Sequence, residues 1–192
     1  MVQGPPRGYF PDPTKSVLVV SLQNVLLAEA FFWGYGFQIM TGSQHLGGFV
    51  GTETEQARWL MGKVAGWWDL VANLDGVECW HPQTAYTGLN TSLQKEWAFV
   101  QRVIPGIEIA FQEVKDEIRD TFLPALVQRA TYQIPGMEIN GLPVKQYGIS
   151  LPNPTNTTSE NWTASCVITG HLVAALRGTA EFRLGDHALL MG

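Results

Sequence analysis

A glycine-punctuated stretch from Thr41 to Glu55, TGSQHLGGFVGTETE, most constrains what this chain can fold into. Turn residues at 41–43 follow the apolar pair Ile39-Met40, and a second apolar run with Leu46, Phe49 and Val50 comes after them. This pattern predicts a β-hairpin with its turn at 41–43. Everything before the hairpin has the pattern of short α/β elements, and everything after it has the pattern of helices.

The end of this stretch predicts a helix start. Gly47 and Gly48 interrupt the second strand, and glycines there favour a bend, a bulge or the close approach of another backbone. Thr52 stands three residues before Glu55, the spacing of a capping box in which each side chain satisfies a free backbone N–H. The hairpin is therefore expected to pass directly into a helix.

The composition indicates a packed protein with little affinity for phosphates. The hydrophobic content of 45% is ordinary for a globular chain, so the composition predicts a folded rather than a disordered protein. Only 15% of the 192 residues are charged and the net charge is -5, so no general excess of positive charge can neutralise nucleic acid. Cys79 and Cys166 form no Cys-x-x-Cys pair, which predicts two buried thiols rather than a zinc site or a disulfide framework.

No stretch has the pattern of a membrane span or a secretory signal. The most apolar segment, 17–32, is short and is broken by Ser21, Gln23, Asn24 and Glu29. The first residues lack a basic segment followed by an apolar one. The expected location is therefore intracellular, in the cytoplasm or the nucleus, with no membrane as a partner.

Residues 1–51 are predicted to form an α/β fragment with a hairpin arm. Prolines and glycines in residues 1–14 indicate an extended arm. A buried strand at 16–20, a helix at 22–33 capped by Ser21, and a strand at 37–40 follow. Partner strands outside this chain would complete such a sheet.

Residues 52–133 are predicted to form a helical region. Three helices are expected, at 53–74, from 82 to 103, and at 107–123, the last of which Pro124 ends or kinks into a short extension. Trp59 and Trp68 lie off the apolar stripe of the first helix, so this helix either packs on two sides or presents aromatic surface to a partner. The apolar stripes are Ala57, Leu60, Val64, Trp67, Val71 and Leu74, then Tyr86, Leu89, Leu93, Trp97 and Val100, then Phe111, Val114, Ile118 and Phe122.

Residues 134–192 are predicted to form a loop and a C-terminal helix. Prolines and glycines between 134 and 154 exclude a regular helix there. A second capping-box spacing at 157–160 opens a helix that stops near Gly178. The apolar run 188–191 indicates either a helix that continues or a docked terminus. The predicted fold class is thus α+β and mostly helical, a strand-helix-hairpin fragment followed by a helical bundle.

The sequence contains no complete motif of a nucleotide-binding protein, a serine hydrolase or a zinc protease. The spacing from Gly42 to Gly47 matches a P-loop but lacks the Lys and the Ser or Thr that follow. No Gly-x-Ser-x-Gly elbow and no His-Glu-x-x-His helix occurs. Asp116 and Asp120 share a helix face, where solvated carboxylates are more common than a metal pair. No metal site and no small-molecule ligand is therefore expected.

A lysine that opens an apolar strand, a Leu-Gly hairpin and a helical region follow one another, at Lys15 to Val19, at Leu46 to Gly51 and from residue 52 onward. This order resembles the C-terminal part of a LINE-type, non-LTR retrotransposon reverse transcriptase. In that family a lysine and a small polar residue open an apolar strand at the end of the palm, as Lys15-Ser16-Val17-Leu18-Val19 does here. A Leu-Gly hairpin, the primer grip, follows, as in Leu46-Gly47-Gly48-Phe49-Val50-Gly51, and a helical thumb comes next. Segments 86–105, 142–149 and 161–166 are also similar to segments of retroelement reading frames.

The resemblance assigns roles to particular residues. Lys15 would stand where the family has a lysine thought to protonate the leaving pyrophosphate. The implied partners are a primer–template nucleic acid or the missing palm domain. The implied nucleic-acid-binding residues are Leu46, Gly47, Gly48, Phe49, Arg58 and Lys63.

The chain departs from the family in having no Asp-Asp pair anywhere. Two-metal phosphoryl transfer requires carboxylates that hold both ions, so this chain is not expected to polymerise DNA alone or to hold a cofactor. A complete parent enzyme would use Mg. The resemblance implies Arg at the positions of Trp33, Trp67 and Trp80, and this departure favours a truncated or decayed copy. The competing hypothesis is a helical protein-interaction module without nucleic-acid activity, which uses Trp59 and Trp68.

Overall fold

The fold is mostly helical α+β, as the sequence predicts. The computed structural model describes residues 12–78, 80–127, 141–146, 148–181 and 185. The chain divides into two compact units, Met1–Met61 and Gly62–Gly192. The predicted division into 1–51, 52–133 and 134–192 stays a prediction.

The first unit begins with a parallel pair of strands joined by a helix. β1 (Val17–Val19) pairs with β2 (Gln38–Met40), Val17 lies opposite Gln38, and α1 (Val25–Phe31) connects them. The helix is shorter than predicted because its first turn, Leu22–Asn24, is a 3₁₀-helix and the chain leaves the helix before Gly34, which has a φ of 86°. Four aromatic side chains pack together in the segment that leads from α1 to β2. They are Phe31, Phe32, Tyr35 and Phe37.

The hairpin is present, but its turn lies elsewhere than predicted. β3 (Gly42–His45) pairs antiparallel with β4 (Gly48–Gly51), so Gly42 and Ser43 are strand residues and the turn at 41–43 is wrong. The two-residue loop is Leu46-Gly47, with φ values of 48° and 82°. Two positive φ angles are the pattern of a type I′ turn, which matches the twist of the flanking strands.

The long helix α2 (Glu53–Glu78) follows the hairpin and extends four residues past the predicted Leu74. Its stripe is largely as predicted, since the residues Leu60, Val64, Trp67 and Val71 are all buried. Ala57, at the start of the stripe, is exposed.

The second and third predicted helices lie in the second unit, and each contains a π-helical segment. The second consists of α3 (Pro82–Gly88), the π-helix Leu89–Leu93 and α4 (Gln94–Val103). The third consists of the 3₁₀-helix Glu108–Phe111, α5 (Gln112–Glu117), the π-helix Ile118–Phe122 and α6 (Leu123–Leu126). Pro124 lies in the first turn of α6, where a missing N–H costs little, so the helix passes through it.

The last helix, α7 (Asn156–Leu176), begins before the predicted capping box. Asn153 Oδ1 accepts hydrogen bonds from the N–H and the hydroxyl of Thr155, at 3.0 and 2.7 Å, so Asn153 shapes the turn in front of the helix. The end is as predicted, because Gly178 has a φ of 72° directly after the final turn.

Several predictions for residues 134–192 fall partly outside the described residues. Of the stretch 134–154, the described part contains the 3₁₀-turn Val144–Gln146, and Gly141 is helical, which the count of breakers did not predict. The N-terminal arm up to residue 11, Cys79 and the apolar run 188–191 lie outside the described residues. Cys166 is exposed, so the prediction of a buried thiol is wrong there.

The core of the second unit is built around Trp67. Its ring stacks on Phe111 at 5.5 Å and meets Trp97 edge-on at 6.3 Å, and the indole is 1% exposed. Its Nε1 has no hydrogen-bond partner within the described part of the chain. No helix among the described residues is long and apolar enough to cross a membrane.

Candidate nucleic-acid interface

The tip of the hairpin presents a strained apolar residue. Leu46 is 84% exposed, and its φ of 48° is the left-handed conformation that disfavours a branched side chain by about 1–2 kcal/mol. Gly47 adopts the same region without this cost. Leu46 is therefore held at the tip by the turn around it rather than by burial.

Two other hairpin side chains, Gln44 and Phe49, contact the helix that follows. The Phe49 ring lies 5.7 Å from the Trp59 ring, and Trp59 Nε1 donates a hydrogen bond to Gln44 Oε1 at 3.2 Å. Gly48 is buried at the start of β4. Of the predicted grip residues, Leu46 and Gly47 thus form the exposed tip, while Phe49 braces the hairpin.

The base of the hairpin is held by hydrogen bonds other than the predicted capping box. The Thr41 hydroxyl donates to Glu55 Oε1 at 2.9 Å, and the Thr52 hydroxyl lies 3.5 Å from Glu55 Oε2. The Thr52 N–H donates to the Thr41 carbonyl at 3.0 Å, so Glu55 binds hydroxyls instead of closing a reciprocal box. The predicted residues still meet, but they tie β3 to the helix.

Two glycines that pair across the hairpin leave no room for a Cβ atom unless a neighbouring group shifts. A Cβ on Gly42 would overlap Glu55 Oε2 and lie 2.6 Å from Phe49 Cζ. A Cβ on Gly51 would overlap the Cα of Gly42 and lie 2.6 Å from the Thr41 carbonyl oxygen. The sequence pattern treated Gly42 as a turn residue, so this close approach was missed, although both glycines bound the two strands.

Lys15 lies on the 3₁₀-turn Pro13–Lys15 directly before β1, with 84% of its side chain exposed. Its Nζ is 3.6 Å from Asp12 Oδ2. Asp12 Oδ1 accepts hydrogen bonds from the hydroxyl of Thr14 at 2.6 Å and from its N–H at 3.0 Å, and these bonds hold the pKa of Asp12 below its usual value. Lys15 is thus accessible, with its charge partly countered by one neighbouring carboxylate.

A groove follows β1 on the side of the hairpin. Two clefts, of about 310 and 290 Å³, share Val19 and Val50 and so adjoin along the strand. Their walls combine valine side chains with Ser and Thr hydroxyls. The groove brings the strand that Lys15 opens and the candidate grip hairpin next to each other.

The other two candidate cations differ in their surroundings. Arg58 is exposed and makes no hydrogen bond or ion pair with any residue that the structure describes. Lys63, in the second unit, is half-buried, with its Nζ 3.4 Å from Glu96 Oε1. Arg58 is therefore the better placed of the two for a phosphate.

The electrostatics of the first unit are slightly unfavourable to phosphates. Its sequence carries three cationic side chains against four carboxylates, which are Arg7, Lys15 and Arg58 against Asp12, Glu29, Glu53 and Glu55. A nucleic-acid site in this unit must therefore depend on shape and a few local contacts more than on its overall field.

Asp116 and Asp120 do not fit a two-metal site. Arg119 Nη1 lies 3.0 Å from Asp116 Oδ1, and the same guanidinium forms a two-point pair with Asp120. This pairing lowers the pKa of Asp120 and raises that of Arg119. One cation thus occupies both carboxylates, and the described residues contain no cluster of three or more metal-ligating side chains.

The second unit has an apolar pocket of about 360 Å³ between Pro82, Tyr86 and Leu126. The Tyr86 hydroxyl donates to the Ile149 carbonyl at 2.7 Å and accepts from Asn90 Nδ2 at 3.1 Å. The protein itself satisfies the Tyr86 hydroxyl, so this group is not free to select a ligand.

No protein-family model, no curated protein and no solved structure matches this chain. The resemblance to reverse transcriptases therefore depends on the sequence motifs alone.

Proposed function

We propose that this chain is a non-catalytic C-terminal part of a protein resembling a retrotransposon reverse transcriptase, in which the β3–β4 hairpin holds primer–template nucleic acid. The observation that carries the proposal is the exposed, strained Leu46 at a hairpin tip braced on the first turns of a 26-residue helix. The order strand, helix, strand, hairpin and long helix supports it. The proposed location is inside the cell, in the cytoplasm or the nucleus.

Strain at the tip has a physical meaning in this proposal. A residue in an unfavourable backbone region persists where the surrounding structure enforces it, and such residues concentrate at contact sites. Gly47 beside it leaves the backbone bare, so a nucleic-acid strand can approach closely. An apolar tip suits the face of a sugar or a base better than a phosphate.

Catalysis would have to come from elsewhere in this proposal. Two Mg ions held by carboxylates stabilise the attacking and leaving oxygens in phosphoryl transfer, and the sequence has no Asp-Asp pair to hold them. A palm domain with its own carboxylate pair is the proposed source of that chemistry. Lys15 would then act as a proton donor only beside that palm.

The sharpest test uses Leu46→Asn. Asn tolerates the left-handed region and Asn-Gly is a favoured type I′ pair, so the hairpin should gain about 1 kcal/mol of stability. The same change removes the apolar tip, so primer–template affinity should fall several-fold in a fluorescence anisotropy titration. A stabler protein with unchanged affinity would contradict the proposed role of the tip.

Arg58→Ala tests the phosphate contact, with Arg102→Ala as the matched control. Both arginines are exposed and lack partners among the described residues, but Arg102 lies in the second unit. Loss of one phosphate contact should reduce the slope of log affinity against log salt by about 0.9 for Arg58→Ala and leave Arg102→Ala unchanged. If the unaltered protein binds no primer–template at low salt, the proposal fails.

A helical protein-interaction module is the second candidate function. The acidic balance and the exposed aromatic side chains favour it, since Trp33 is 86%, Trp80 81% and Trp68 40% exposed. Trp59 does not belong to this set, because Phe49 and Gln44 already contact it. If the protein is folded and binds no nucleic acid in the primer–template titration, this second function is favoured.

A further inference from the structure

The outward side of α1 and its flanks carries several large apolar side chains, and Glu29 is its one exposed charge. Five large side chains there are between 69% and 86% exposed, and they are Leu22, Leu26, Leu27, Phe31 and Trp33. Within α1 only Ala28 is buried. A helix that covers a sheet on one side normally turns a polar face outward, and this one does not.

The size of this α1 patch is that of an interface. A whole aromatic side chain presents roughly 150–250 Å², so the five exposed residues together present on the order of 700 Å². The largest apolar patch of a typical monomer is about 300–600 Å². One side of a stable protein–protein interface buries about 800 Å², which the α1 patch and its rim can supply.

We propose that the α1 patch joins a second copy of this chain across a two-fold axis. From Ser21 to Trp33 the only charged residue is Glu29, so the surface offers almost no charge pattern for a partner of different composition to complement. An uncharged apolar surface is complementary to itself, as a two-fold interface requires, and homodimer interfaces are the more apolar class.

The geometry of the helix suits such a contact. Leu22 and Leu26 are four residues apart and form one ridge, and Leu27 and Phe31 form a second ridge beside it. Two such helices can pack the ridges of one into the groove of the other. The exposed Ser21, Gln23 and Asn24 at the start of the helix provide a polar rim.

This inference does not rest on the proposed nucleic-acid function. The patch lies on α1, whereas the candidate grip lies on the β3–β4 hairpin, and either can exist without the other. The two proposals also fail in different measurements, one in association of the protein and the other in nucleic-acid titration.

The test is the molecular mass in solution across a protein concentration series, measured by sedimentation velocity. The unaltered chain should reach twice its 21.2 kDa mass in the micromolar range. Leu26→Glu places a charge in the centre of the patch and should raise the dimer dissociation constant at least about thirty-fold. Ile109→Glu is the matched control, because Ile109 is 90% exposed in the second unit and should leave the dimer intact.

Hydrogen exchange gives a second readout that needs no variant. Peptides covering 21–33 should become more protected as the concentration rises through the dimer range, whereas hairpin peptides should not change. A monomer at all concentrations, association without a defined stoichiometry, or a dimer whose protection lies away from α1 would each overturn the proposal. A monomer would leave the patch to a different protein, such as the missing palm.

Discussion

Among single residues, Gln101 carries the most hydrogen bonds in the packing of α4 against α7. It is completely buried, its Nε2 donates to the Pro154 carbonyl at 2.8 Å, and its Oε1 accepts from Thr157 Oγ1 and Asn161 Nδ2. Gln101→Leu leaves these partners without it, and buried polar groups without partners cost about 1–3 kcal/mol. The free energy of unfolding measured in urea should therefore be lower by this amount in Gln101→Leu.

The control for Gln101→Leu is Gln83→Leu, since the Gln83 side chain is exposed and makes no hydrogen bond within the described part of the chain. It should change stability by less than about 0.5 kcal/mol. An equal effect of both substitutions would mean that the buried amide contributes nothing specific.

Asp12 gives a prediction for pH. Its pKa is lowered in the folded chain, chiefly by the Thr14 hydroxyl and then by the Thr14 N–H. A lowered pKa means that the contribution of these bonds is present above the unfolded value of about 3.9 and is lost as the pH falls through the folded value. The NMR signal of the Thr14 amide should titrate with a midpoint below about 3.9.

Thr14→Val supplies the control for this titration. Removal of the hydroxyl takes away the largest cause of the shift while the Thr14 N–H remains. The midpoint of Asp12 should therefore rise toward the value of an unfolded chain. An unchanged midpoint would show that the hydroxyl does not stabilise the carboxylate.

Among the elements, the hairpin depends most on the absence of side chains. Gly42→Ala places a methyl group against Glu55 and Phe49, and overpacking of this kind costs about 1–3 kcal/mol. Gly66→Ala is the opposite control, because nothing lies within 4 Å of its Cβ position and Ala favours the helix α2 by roughly 0.5–1 kcal/mol. The midpoint temperature of thermal unfolding should fall for Gly42→Ala and rise for Gly66→Ala. Equal shifts of the two midpoints would contradict this account.

The same hairpin shows which parts of an element could be predicted from the sequence. Buried positions of the helices followed from their 3.6-residue period, as Val64, Trp67 and Val71 show. The position of the turn did not follow from the sequence. Turn propensity favours Thr41-Gly42-Ser43 and gives no reason to place Leu46 in the left-handed region. Pairing of Gly42 with Gly51 decided the register, and that is a contact between strands rather than a local preference.

For the candidate site, the sequence predicted only which residues lie close together along the chain, and it did not predict their tertiary contacts. Leu46 to Phe49 lie on one hairpin, as expected, but the orientation of Phe49 toward Trp59 follows from packing. Lys63 was a candidate through the resemblance, and its pairing with Glu96, 33 residues away, has no signal in the local sequence. Residue types thus identified candidates, and tertiary contacts decided which of them are accessible.

In the whole molecule, the two compact units differ sharply in the amount of buried core. In the described part of the first unit, the buried apolar side chains are Ala28 and Leu60. The second unit buries large side chains such as Trp67, Trp97 and Phe111. Since burial of apolar area is the main source of stability, the first unit should open at a much lower free energy than the second.

Hydrogen exchange measured at a concentration too low for dimers should therefore show the order of opening. Amides of β1, α1 and β2 should exchange well before those of α4 and α7, and urea unfolding should not be a single two-state transition. Trp97→Ala should remove about 3–5 kcal/mol from the late-exchanging group while leaving the early group unchanged. Coincident exchange of both groups, with one transition for every probe, would mean that the first unit draws its stability from contacts that its own core does not provide.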